Sequence, residues 1–167
     1  VPLPDLPIQY ADFAVWQREH LQGDVLDEQL SYWRDQLANV PSVLELPSDR
    51  PRPEIASFRG ARMTFEVKQE LAQQLRKLSQ REGVTLFMVL LAAFDALLYR
   101  YTDQPDIVVG TAIANRNRDE TEPLIGFFIN MLVMRTDLSG NPTFLELLKR
   151  VKQMTLAAYQ HQDVPFE

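Results

Sequence analysis

Cysteine is absent from the 167 residues. That excludes disulfides, thiolate metal sites, iron–sulfur clusters and a cysteine nucleophile. Histidine is scarce, with only His20 and His161. A zinc site typically wants three or four N, S or O ligands, and neither histidine has a second one at ligand spacing, so no metal site is expected. The six glycines never fall into G-x-G-x-x-G or G-x-x-x-x-G-K, so no phosphate cradle is visible. A G-x-S-x-G elbow is also missing, which leaves a serine nucleophile without local support. Basic blocks are lacking too: 17 Lys+Arg stand against 23 Asp+Glu, a net charge of −6. Phosphate-backbone binding needs concentrated positive charge, so a nucleic-acid partner is not expected. The most apolar run, Val84 to Leu98, is interrupted by Asp95 and falls short of the ~20 apolar residues of a membrane span. The start, Val1-Pro-Leu-Pro-Asp-Leu-Pro7, lacks the basic-then-apolar layout of a secretory signal. A soluble cytoplasmic protein with no membrane partner is the expectation.

Apolar residues make up 46% and charged residues 24%, a globular balance suited to one domain or a large piece of one. Tyr10, Phe13, Trp16 and His20 have helical spacing up to about Gln22, where Gly23 breaks the pattern. Asp24 can then cap a second helix with the stripe Leu26, Leu30, Trp33 and Leu37, which makes an αα-hairpin. From Val40 to Phe58, Pro41, Pro47, Pro51 and Pro53 forbid a continuous helix, and Asp49, Arg50 and Arg52 keep this stiff connector wet. Arg62 to Val67 alternates polar and apolar, the period of a strand with one wet face.

A helix on Leu71, Leu75 and Leu78 follows, ending at Gly83. Thr85 can cap the next, Leu86 to Tyr101, which is apolar nearly all round and must be covered on most sides. Ile107–Ile113 and Phe127–Thr136 read as interior strands. Thr143 and Glu146 form a capping box for a last helix on Phe144, Leu147, Leu148, Val151, Met154 and Ala158. The expected order is α-α-linker-β-α-α-β-β-α, a mixed α/β architecture. The divisions read as a helical hairpin at 1–39, a Pro-rich linker at 40–58 and a lobe at 59–167. The bare Pro165-Phe166-Glu167 end suggests a piece of a longer polypeptide.

A few polar residues stand out as site candidates. His20, on the face of Phe13 and Trp16, reads as a packing or helix-end residue rather than a base. His161, before Gln162 and Asp163, either binds ligand or satisfies the helix's last carbonyls, and the second is favoured. Asn130 interrupts an apolar run, and burying an unpartnered amide costs on the order of 1–3 kcal/mol. It therefore either satisfies backbone groups beside an irregular strand or lines a site. Arg116 follows a strand end, where ligand-facing groups collect in α/β folds; it is solvated, or pairs with a carboxylate that this chain does not contain. Asp119, Glu120 and Glu122 read as a solvated loop.

These residues also carry a resemblance that spans essentially the whole chain. Tyr10-Ala-Asp-Phe-Ala-Val-Trp-Gln-Arg18 resembles the fourth signature motif of nonribosomal peptide synthetase condensation domains. Ile125-Gly-Phe-Phe-Ile-Asn-Met-Leu-Val-Met-Arg135 resembles the fifth, and His161-Gln-Asp-Val-Pro-Phe-Glu167 the sixth. Leu46-Pro-Ser-Asp-Arg-Pro-Arg-Pro53 and Gly110-Thr-Ala-Ile-Ala-Asn-Arg116 are similar to common family sequence.

The resemblance implies the second lobe of a two-lobed, chloramphenicol acetyltransferase-like fold, with a mixed sheet flanked by helices and a tunnel between lobes. It implies peptide-bond formation between aminoacyl or peptidyl thioesters, as in antibiotic biosynthesis. Both substrates ride on 4′-phosphopantetheine arms of carrier domains, with no cofactor bound directly. The implied partners are those carriers, the missing N-terminal lobe and a neighbouring adenylation domain.

The family's His-His-x-x-x-Asp-Gly motif is absent from this sequence, so no catalytic histidine is assigned and the chain alone is expected to be inactive. By the resemblance, Asn130 and Arg135 shape the tunnel region, and Arg116 pairs with the aspartate of the absent motif. Tyr10, Phe13, Trp16, Gly126, His161, Gln162 and Asp163 are motif residues of mainly structural role. The alternatives are a non-catalytic module that docks carrier proteins, or an epimerisation or heterocyclisation relative. The intact Ile125-to-Asn130 string fits ordinary condensation better than epimerisation.

Overall fold

The computed structural model describes residues 5–51, 53–55 and 57–166. Arg52 of the connector, Val1–Pro4 of the lead-in and Glu167 of the last motif lie outside the described residues. The element order is α1 (Tyr10–His20), α2 (Gly23–Gln36), α3 (Gln69–Glu82), α4 (Leu86–Thr102), β1 (Asp106–Ile113), β2 (Asn130–Asp137) and α5 (Phe144–Gln160), with a short 3-10 turn at Asp119–Thr121. The two strands pair with each other, antiparallel. Two compact units result. One takes Val1–Val40, Val108–Arg135 and Met154–Glu167, and the other Pro41–Ile107 and Thr136–Gln153. Among the described residues no single helix is long and apolar enough to cross a membrane.

Local chemistry sets most helix ends. Thr85 accepts the Met88 amide at 3.2 Å and starts α4. Thr143 and Glu146 cap each other reciprocally at the head of α5, with Thr143 N to Glu146 Oε2 at 2.7 Å and Glu146 N to Thr143 Oγ1 at 3.3 Å. The Glu146 carboxyl is held below its usual range chiefly by the Thr143 backbone bond. Gly83 ends α3 at φ +62°, a left-handed position that costs glycine nothing. The start of α2 corrects the expectation: its N-cap is Gln22, without a side-chain bond, and Asp24 lies inside the first turn. There its carboxylate still favours the positive end of the helix dipole.

Other corrections concern the strands. Arg62–Val67 is not a strand; it stays unpaired, with Met63 87% and Phe65 80% exposed. Alternation encodes extended preference and a two-faced surface, but the ladder needs a partner edge. Among the described residues none is supplied. β2 begins at Asn130 rather than Phe127, and its faces alternate between buried Asn130, Leu132, Met134, Thr136 and more exposed Met131, Val133, Arg135. The apolar run is therefore half-covered rather than interior, because the sheet has only two strands among the described residues.

In the second unit, Met88, Val89 and Ala92 of α4 are buried, as are Ile107, Leu138, Leu147, Leu148 and Val151. The opposite face of α4 is wet: Phe87, Leu90, Phe94, Leu97 and Tyr101 are 37–64% exposed. Asp95 sits on the buried side with no exposed surface, and neither carboxylate oxygen closes a hydrogen bond. Burial pushes its carboxyl up to about 6, and the nearby Thr136 hydroxyl offsets this only in part.

Candidate functional site

The site forms within the first unit, where α1 meets the strand-end loop. Phe13, Leu124 and Phe128 make a small core, with Leu6, Ile8 and Trp16 against it. The Phe13 and Phe128 rings lie 4.7 Å apart, and Tyr10 meets Phe128 edge-on at 5.2 Å. Gly126 lets Tyr10 approach: a Cβ there would clash with the ring edge at Tyr10 Cδ2. The Tyr10 hydroxyl then donates to Phe127 O at 2.9 Å.

Arg116 stacks its guanidinium 4.1 Å above the Phe128 ring. Its Nη1 donates to Thr121 O and, at 3.3 Å, to Glu122 O. That fixes the turn that Thr121 also closes on Arg118 O at 2.7 Å. The Nε and Nη2 donors of Arg116 carry no hydrogen bond among the described residues. Arg118 lies 4.1 Å over Trp16, which stacks on His20 at 4.7 Å. His20 thus packs at the last turn of α1.

Asn130 is buried and saturated. Its Nδ2 donates to Gln162 O (2.9 Å) and Val164 O (2.8 Å), and its Oδ1 accepts from Met131 N (2.9 Å) and Phe166 N (3.1 Å). An amide group offers two donors and two acceptor positions, so no capacity is left for a ligand. Asn130 is a staple that pins the segment after α5.

The same segment is held at two more carbonyls: Gln29 Nε2 donates to Gln160 O (3.1 Å), and Trp33 Nε1 to His161 O (2.7 Å). His161 stacks on Tyr32 at 3.9 Å and bonds Ala157 O through Nδ1 at 2.8 Å. A carbonyl only accepts, so Nδ1 carries the proton. Burial raises the Tyr32 phenol above its ordinary range. Arg135 closes α2, donating from Nη1 to Gln36 O (2.7 Å) and Ala38 O (3.0 Å). Asn130→Ala is expected to cost about 2 kcal/mol of unfolding free energy, because it strands buried backbone groups. Urea unfolding checks this, and an unchanged midpoint contradicts the staple.

A cleft of about 290 Å³ opens here, walled by Tyr10, Phe127, Phe128 and Phe166, with Gln17, Asn115 and Asp163 among its polar lining. A second, apolar groove of about 310 Å³, lined by Leu30, Trp33, Leu37 and Leu132, shares Pro165 and Phe166 with it. Neither His20 nor His161 lines the first cleft, and Arg116 and Arg135 stand outside its lining. Gln17, Gln29, Asn115 and Asn117 are absent from the sequence-level candidates. Gln29 and Asn117 bond to Gln160 and Asp163, far along the chain, and Gln17 and Asn115 come together only in the cleft lining, for which no local pattern exists. Among the described residues no three His, Asp or Glu side chains gather to hold a metal ion.

Comparison with known proteins fits this geometry. A linear gramicidin synthase of Brevibacillus parabrevis is 61% identical over 166 residues, covering 99% of this chain and 3% of that protein. Phosphinothricin tripeptide synthetase PhsC of Streptomyces viridochromogenes is 48% identical over 165 residues, covering 99% of this chain and 15% of that protein. The X-domain in its complex with OxyB from teicoplanin biosynthesis superposes with a TM-score of 0.89 at 34% identity, over 99% of this chain and 37% of that one. The chain therefore spans a small part of the curated relatives it matches, and shares the chloramphenicol acetyltransferase-like fold of its structural neighbours. The Condensation domain profile matches residues 1–167, and the chain belongs to the condensation domain family.

Proposed function

We propose that this chain is the C-terminal part of a condensation domain that joins carrier-bound aminoacyl or peptidyl thioesters in nonribosomal peptide synthesis. One observation carries the reading: three strings far apart in sequence, Tyr10–Arg18, Ile125–Arg135 and His161–Phe166, all contribute walls to one cleft. In the reaction, an acceptor α-amine attacks the donor thioester carbon. The C–N bond forms, the C–S bond breaks, and the thiol leaves with a proton lost by the amine. Holding both ends in register is an orientation effect worth up to ~7–11 kcal/mol in ideal cases.

This chain's own residues build the wall. Asn130 fixes the 162–166 segment, and Arg135 locks the end of α2. Arg116 keeps Nε and Nη2 for a carboxylate, which fits pairing with the aspartate of the His-His-x-x-x-Asp-Gly motif in the rest of the domain. The substrates arrive on 4′-phosphopantetheine arms of carriers loaded by an adenylation neighbour, in the cytoplasm, and the chain alone is inactive for want of the base.

A second reading, a docking module without chemistry, is favoured by the X-domain relative, which forms a complex with OxyB. One experiment separates them. The domain containing this chain is mixed with one donor-loaded and one acceptor-loaded carrier, and the acceptor carrier's mass is followed. Gain of the donor acyl group as an amide supports condensation. Carrier binding without transfer supports docking and overturns the condensation reading.

A further inference from the structure

The cleft walled by Tyr10, Phe127, Phe128 and Phe166 carries one unbalanced charge. Among the described residues Asp163 is the only ionisable carboxylate in its lining, and no Lys, Arg or His lines it. Asn117 Nδ2 holds Asp163 Oδ1 at 3.4 Å, while Oδ2 has no hydrogen bond among the described residues. The other polar groups divide sharply. Asn130 is saturated by backbone, and the Tyr10 hydroxyl is spent on Phe127 O. The side chains of Gln17 and Asn115 form no hydrogen bond among the described residues and add two amide oxygens. The remaining wall is apolar, with four phenylalanines beside Ile129, Met131 and Pro165, and aromatic faces attract cations. A carboxylate, free amide oxygens and aromatic faces together select a compact cation with several N–H donors on an apolar stem.

We infer that Asp163 is a binding residue for a primary ammonium, the α-ammonium of the acceptor aminoacyl group, held there before it loses its proton. This rests on the proposed condensation reading and adds the group that recognises the acceptor. The backbone around Asp163 is already fixed by Asn130 through Gln162 O and Val164 O, so the carboxylate meets its ligand preorganised. Asp163 is not the base. It orients the nitrogen and leaves proton removal to a group elsewhere in the domain.

The test uses the condensation domain containing this chain and two probes: aminoacyl-pantetheine with an amide in place of the thioester, and its N-acetylated form. Affinities are measured by calorimetry. The free amine is expected to bind about tenfold more tightly than the acetylated probe. That ratio should fall to within twofold in Asp163→Asn and return in Asp163→Glu. With loaded carriers, Asp163→Asn should raise KM for the acceptor about tenfold and leave kcat within twofold. Equal affinity of both probes for the parent domain, or a preserved ratio in Asp163→Asn, overturns the assignment while leaving the condensation reading standing. If neither probe binds, the cleft does not receive the acceptor, and the reading beneath the assignment fails with it.

Discussion

The 167-residue chain should bind an apolar dye strongly and self-associate at micromolar concentration. Phe87, Leu90, Phe94, Leu97 and Tyr101 recur at i, i+3, i+7, i+10 and i+14 on α4, one continuous stripe, and they are 37–64% exposed. The α4 helix is apolar nearly all round, so it has no broad polar face to turn toward water. Single exposed apolar residues are ordinary on protein surfaces, but a contiguous stripe of this length marks a contact surface. Replacing Leu90 with Glu and Leu97 with Lys places opposite charges on the stripe. The double variant should lose most of the dye fluorescence and sediment as a monomer. A parent chain that is already monomeric and silent to dye contradicts the expectation.

The second large effect concerns Asp95. Its folded-state carboxyl lies near 6, against an ordinary value of 3.8, because burial penalises the charged form. A carboxyl raised on folding binds its proton more tightly in the native state. The stabilisation from that proton is fully present below pH ~3.8 and is lost as pH rises through ~6. At pH 7.5 the ionised, unpaired carboxylate therefore burdens the fold by about 3 kcal/mol, one pKa unit being about 1.4 kcal/mol. Asp95→Asn keeps the shape and removes the charge. It should raise unfolding free energy at pH 7.5 by about 1–3 kcal/mol and make little difference below pH 4. Paired urea titrations at both pH values measure this. A variant that is less stable at pH 7.5, or a difference that does not change with pH, contradicts it.

Much of this was legible in the residues, and the misses are physical. Thr85, Gly83 and the Thr143–Glu146 pair act over three or four residues, so their helix ends could be read directly. The Tyr10, Phe13 and Trp16 spacing located α1, and the break at Asn130 marked a special position. What a linear pattern does not hold is the partner. Asn130's four bonds run mostly to residues 32 to 36 positions away. Gly126 shows its role only against Tyr10, more than a hundred residues earlier. The alternation in Arg62–Val67 describes a strand surface correctly, yet pairing depends on an edge that the described residues do not provide. Asp95 is visible as a charge in an apolar run, but its burial follows from packing against other elements.

On the proposed reading, this chain is one part of a larger condensation domain whose remaining residues close its open faces. Hydrogen exchange at the amides of residues 62–67 tests that most directly, comparing the 167-residue chain with the domain that contains it. In the chain alone these unpaired amides should exchange at rates near those of unstructured peptide. In the larger domain alternate amides should slow by at least about a hundredfold, the signature of one paired strand edge. Equal exchange in both would contradict it.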